Sequence, residues 1–150
     1  MITHLIILQD TPSGSALEPT QDDFARQENI DLKKNNILTT LPLVGKEYLV
    51  SFELLVNKHT SEDWRNVIRL RQHGTAFMVY GYRIPGVWLT KNNKLHIISA
   101  VNGQADYIYN DNTPLKEGKW TQIVSMQFKR GGKVPISFTL NKVLLLLMYL

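Results

Sequence analysis

The residues best suited to chemistry in this 150-residue chain are one tryptophan and the arginines that follow it. Trp64 closes the polar stretch Thr60-Ser61-Glu62-Asp63, where an indole can stack on a sugar face or cap the end of a sheet. Arg65, Arg69 and Arg71 recur at strand spacing with Val67, so a strand here is expected to carry them on one face. At ~3.3 Å per residue the resulting basic stripe is about 20 Å long. Guanidinium forks suit sulfate, phosphate or carboxylate through paired hydrogen bonds. An acidic or sulfated glycan held by Trp64, Arg65, Arg69 and Arg71 is therefore the sharpest ligand expectation. The competing expectation is a solvated strand face whose arginines form salt bridges to Glu47 or Glu53.

Other chemistries find less support. Glycoside hydrolysis needs two carboxylates roughly 5 to 10 Å apart, whereas Glu47 and Glu53 on one strand stand about 20 Å apart at ~3.3 Å per residue. Glu62 and Asp63 are adjacent and point different ways. His4, His59, His73 and His96 are scattered without ligand spacing, which argues against zinc; no metal site is expected from them. The triplet Asn110-Asp111-Asn112 supplies three oxygen side chains in what reads as a loop, and these are the candidate calcium ligands; the same residues also make an ordinary turn. There is no cysteine, no Gly-x-Ser-x-Gly and no phosphate loop, so no catalytic residue is assigned.

Charge is unevenly distributed. The stretch 1–31 holds six acids and one base, and the remainder sixteen bases and seven acids, which together give the net +4. A basic body with an acidic leader can attract polyanions or hold the leader against itself. Nucleic acid would suit the charge, but no nucleic-acid-binding motif accompanies it, so that partner is not expected. Leu5 to Leu8 is too short for a signal peptide core, and the apolar run Val143 to Leu150 is too short for a membrane span. No membrane span and no visible signal peptide are therefore expected.

The elements that would position these residues read as strands. Lys46 to Val56 alternates with Tyr48, Val50, Phe52, Leu54 and Val56 on one face. Further strands are predicted at Val67–Arg71, Ala76–Tyr80, Val87–Thr90, Lys94–Ala100, Asp106–Tyr109, Trp120–Phe128 and Val134–Leu140, with Trp88 and Trp120 in the core. Leu5–Gln9 reads as an isolated strand and Thr11–Gln27 as a linker. Lys91-Asn92-Asn93-Lys94, Val101-Asn102-Gly103-Gln104 and Lys129 to Lys133 read as hairpin turns, because Asn and Gly tolerate positive φ. Many short strands between turn signals predict an all-β antiparallel sandwich. The organisation expected is an amino-terminal strand with a flexible acidic arm over 1–30, then one sandwich domain over 31–150.

The segments LTTLPLVGKEYLVSFELLV, RNVIRL, GYRIPGVWL, KLHIISAVNG and TPLKEGKWTQIVSMQF together resemble the concanavalin A-like, laminin G-like jelly-roll domains of invertebrate extracellular proteins. The likeness runs from about Ile37 to Lys142. It implies an extracellular, non-catalytic recognition or adhesion module with glycans or proteins as partners. Residues 144–150 depart from the family pattern, so the final strand is expected to be missing, as in a truncated or frame-shifted end. A structural or remnant domain without binding activity is the alternative, and a glycoside hydrolase a distant third.

Overall fold

The computed structural model describes residues 1–9, 24–26, 29–31, 37–40, 48–57, 63–72, 74–101, 103–127 and 136–140. All regular structure among them is β, in two antiparallel sheets, as the sandwich class requires. No helix there is long and apolar enough to cross a membrane. The contacts group the chain into two units, Met1–Leu55 with Trp120–Leu150, and Val56–Lys119.

The first unit contains a five-stranded sheet built from β1 (Ile2–Gln9), β2 (Phe24–Arg26), β3 (Tyr48–Leu55), β8 (Trp120–Gln127) and β9 (Ile136–Leu140), in the order β2-β1-β3-β8-β9. Strand β3 keeps the expected alternation: Tyr48, Val50, Phe52 and Leu54 are buried, and the residues between them half-buried. Strand β8 matches it in register, with Ser125 opposite Val50, Ile123 opposite Phe52 and Thr121 opposite Leu54. Strand β1 is irregular. It carries one residue more than β3 between Thr3 and Ile6, and this bulge switches the buried face from Ile2 to the odd positions Leu5 and Ile7. The Leu5–Gln9 strand is thus not isolated: it belongs to β1, which pairs with β3 on one side and β2 on the other. Strand β2 itself lies inside the segment expected to be linker. Trp120, expected in the core, begins β8 and is 39% exposed.

The second unit contains a four-stranded sheet of β4 (Arg65–Arg69), β5 (Gly86–Leu89), β6 (Lys94–Val101) and β7 (Gln104–Pro114), joined in that order. The turns expected at Asn92-Asn93 and Gly103 are present, with φ of 58° at Asn93 and 84° at Gly103. Asp106–Tyr109 is the middle of a longer strand, β7. The predicted strand Ala76–Tyr80 is instead the tip of the long hairpin between β4 and β5. Gly74, Met78 and Gly81 all have positive φ (74°, 65° and 93°), and extended pairing cannot accommodate them. The expected turn at 129–133 and the end of the chain beyond Leu140 lie outside the described residues, as do Glu47, His59, Glu62 and His73.

The alternation of β3 sets the expected response to truncation. Phe52→Ala, at a position 1% exposed, should cost about 3 to 5 kcal/mol in denaturant unfolding. Leu49→Ala, on the other face of the same strand, should cost well under half of that.

Candidate ligand-binding face

Strand register, more than spacing along the chain, assembles the candidate site. Asn66 pairs with Trp88, Trp88 with His96, and His96 with Asn110. Register partners share a face, so these four residues form a straight row across all four strands of the second sheet. At ~4.8 Å between strands the row is about 14 Å long. A second row runs beside it through Arg69, Gly86, Ile98 and Ile108. The opposite face holds Val87, Leu89, Leu95 and Ile97, all buried. Asn66, Arg69 and Asn110 are exposed, Ile108 is 46% exposed and Trp88 half-buried, whereas Gly86, His96 and Ile98 at the centre are buried, so the row face is accessible chiefly at its margins.

Aromatic contacts tie this face together. Trp64 is 55% exposed and meets the His96 ring edge to face, with centroids 4.5 Å apart. Trp88 approaches the same imidazole at 6.2 Å, so His96 lies between two indoles. His96 Nδ1 lies 2.5 Å from Asn110 Oδ1, and because an amide oxygen only accepts, Nδ1 carries the proton. Next to Trp88 the Arg83 guanidinium is 5.9 Å from the indole and 5.7 Å from the Tyr82 ring. Arg69 stacks on Tyr82 at 4.7 Å and donates from Nη1 to its hydroxyl at 2.6 Å. An unbroken series of ring and guanidinium contacts therefore leads from Trp64 to Arg69.

The arginines do not share a face. Between Asn66 and Ile68 strand β4 has one residue more than β5, a bulge at Val67 that reverses the alternation. Arg65 pairs with Leu89 and Arg69 with Gly86, which puts them on opposite sides of the sheet. Arg65 Nη2 reaches Asn93 Oδ1 and the Thr90 carbonyl, bracing the β5–β6 turn. Arg71 is exposed but lies beyond the end of β4. Of the four residues expected at a binding site, Trp64 and Arg69 are brought onto the row face; Arg65 is a structural brace, and the sheet does not align Arg71 with them.

The calcium triplet is also rearranged. Asn110, Asp111 and Asn112 are not a loop but part of β7. Asn110 Oδ1 is taken by His96, and Asp111 Oδ1 accepts from the Thr113 N–H at 2.8 Å. Partial burial, aided by the Asp111 carboxylate, pushes the Tyr109 phenol above its usual value. Tyr109 pairs with Ile97 on the opposite face. The Asn110 and Asp111 oxygens are therefore committed to separate partners. Among the described residues no cluster of three His, Asp or Glu is arranged to hold a metal ion.

Trp88, expected in the core, is half-buried at the centre of the face, and His96, expected as a packed or surface side chain, is buried beside it; Asn66, Tyr82, Arg83 and Asn110 join them. One signal for this was present in the chain: between Arg65 and Ala105 there is no Asp or Glu, while six Lys and Arg occur. Within the four strands the only carboxylates are Asp106 and Asp111, both on edge strand β7.

The arrangement of Trp88 depends on its neighbour. A Cβ at Gly86 would overlap the indole ring, so glycine leaves the space in which the ring lies. Gly86→Ala should displace Trp88, cost about 1 to 3 kcal/mol and shift the tryptophan fluorescence maximum; an unchanged spectrum and stability would show that the ring does not rest there. Compared with family models, with curated proteins and with solved structures, the chain matches none.

Proposed function

We propose that this chain is a non-catalytic recognition module that binds a glycan bearing anionic groups along the row Asn66-Trp88-His96-Asn110. The observation that carries this reading is the placement of an exposed indole, an imidazole and a second indole in one contiguous strip, with amides at its margins and a guanidinium beside it. The C–H faces of a pyranose pack against aromatic rings, and its hydroxyls exchange hydrogen bonds with amides and ring N–H groups. About 14 Å, three strand spacings, is room for two or three sugar units. Arg69 adds an exposed cation for a sulfate or carboxylate substituent, and neither Arg69 nor Arg83 forms an ion pair with a carboxylate among the described residues. The extracellular setting and the adhesion role rest on the resemblance to laminin G-like domains and belong to the same proposal.

The test is retention on immobilised heparin together with a glycan array. Trp64→Ala should weaken binding about tenfold, the loss of one stacked ring. Arg69→Glu should abolish salt-sensitive retention. Arg65→Ala should lower stability through loss of its bonds to Asn93 and Thr90 while leaving the elution salt unchanged. Chelation of calcium should have no effect, because amide, imidazole, indole and guanidinium groups do the binding. Elution at low salt with no array signal would instead leave a structural domain with no ligand of its own.

A further inference from the structure

The hairpin between β4 and β5 has four consecutive apolar side chains in water at its tip. Phe77 is 70% exposed, Met78 51%, Val79 47% and Tyr80 37%. Soluble proteins expose single apolar residues freely, but a contiguous cluster marks an interaction surface. The tip is held in place from below. Leu70 N–H donates to the Pro85 carbonyl, Ile84 N–H to the Leu70 carbonyl and Gln72 N–H to the Gly81 carbonyl, so a short backbone ladder forms the neck. Thr75 Oγ1 and N–H both donate to the Gln72 carbonyl, and Tyr82 N–H to that of Val79. Met78 holds a φ of 65°, a conformation that side-chain-bearing residues seldom adopt. Strained backbone of this kind tends to persist where it serves a site.

Cations surround the base of the tip. Arg69 at the end of β4 and Arg71 just beyond it are exposed on the arm leading into the tip. Arg83, on the returning arm before β5, is 7% exposed, donates to Met78 Sδ and lies 5.9 Å from the Phe77 ring. No carboxylate occurs between Arg65 and Ala105 to oppose them. An anionic glycan would use this charge but leave Phe77, Met78, Val79 and Tyr80 in water. A bilayer with acidic headgroups uses both, since the apolar tip enters the headgroup and acyl boundary while the arginines meet phosphate and carboxylate above it.

We infer that the 77–80 hairpin tip is a membrane-docking element that inserts shallowly into an anionic lipid surface. This goes beyond the glycan reading: it shares Arg69 with that reading but rests on the apolar side chains of the tip, which the glycan leaves in water. The test is co-sedimentation of the full chain with vesicles of phosphatidylcholine, alone or containing phosphatidylserine. The chain should sediment with the phosphatidylserine vesicles, less so as salt rises, and remain free of the neutral ones. Phe77→Ser/Val79→Ser should weaken binding about tenfold or more; Val79→Ser alone, at a side chain 47% exposed, should weaken it measurably with melting temperature and heparin retention unchanged. Phe77→Trp should give a blue-shifted emission on binding, a signature of insertion that surface adhesion alone lacks. Trp64→Ala should bind vesicles like the parent, so the two readings fail separately. Absence of sedimentation with anionic vesicles, or equal binding by the parent and the double serine variant, would overturn the proposal.

Discussion

Everything at the candidate face depends on the register in which four short strands pair. Hydrogen bonding across β4, β5, β6 and β7 aligns residues that are 22, 8 and 14 positions apart in sequence into one line. Side chains alternate between the faces of a strand, so a slip of one residue would send the whole line to the other side. The bulge at Val67 is part of this control. It allows Ile68 to join the buried face and turns Arg69 outward, although Arg65, four residues earlier, faces the opposite way. The same residue type thus braces a turn at one end of the strand and meets solvent at the other.

Electrostatics reinforces what register arranges. A guanidinium as buried as Arg83 is ordinarily matched by a carboxylate, because removing a charge from water is costly. Here its neighbours are three aromatic rings and a thioether sulfur. The negative faces of the rings compensate the charge in part. Arg69 repeats the arrangement on Tyr82 at greater exposure. Both cations are thereby oriented by rings, with no carboxylate ion pair among the described residues, which is the condition for a surface that attracts anions.

The strands of the fold were largely legible, since β3, β5, β6 and β8 declare themselves by alternation or by flanking turn residues. Ala76–Tyr80 misled because its apolar composition imitates a strand, whereas the positive φ values around it are set by the hairpin neck. The site was legible only in fragments. Trp64 and Arg69 stand out as an indole and a cation near polar loop residues. Trp88 and His96 do not, because a tryptophan between Val87 and Leu89 reads as core until the register shows which face it occupies. Arg65 and Arg71 were placed with Arg69 by simple spacing, and a bulge is invisible to spacing. Asn110 to Asn112 looked like a turn because Asn and Asp favour turns, yet β7 extends through them with a local irregularity where Asp111 caps the Thr113 amide.

Core and candidate site lie on opposite faces of the same four strands, which affects how such a protein can diverge. Asn66 is exposed and can be exchanged with little effect on folding, whereas Asn110 holds the buried His96 imidazole and Arg69 the Tyr82 ring. Trp88 and Gly86 cannot be exchanged in this way, because the absence of a side chain at one is the resting place of the other. A lineage altering the aromatic centre of this face would have to change both residues together, and until it did the ring would act as a fixed anchor around which ligand preference drifts at the edges.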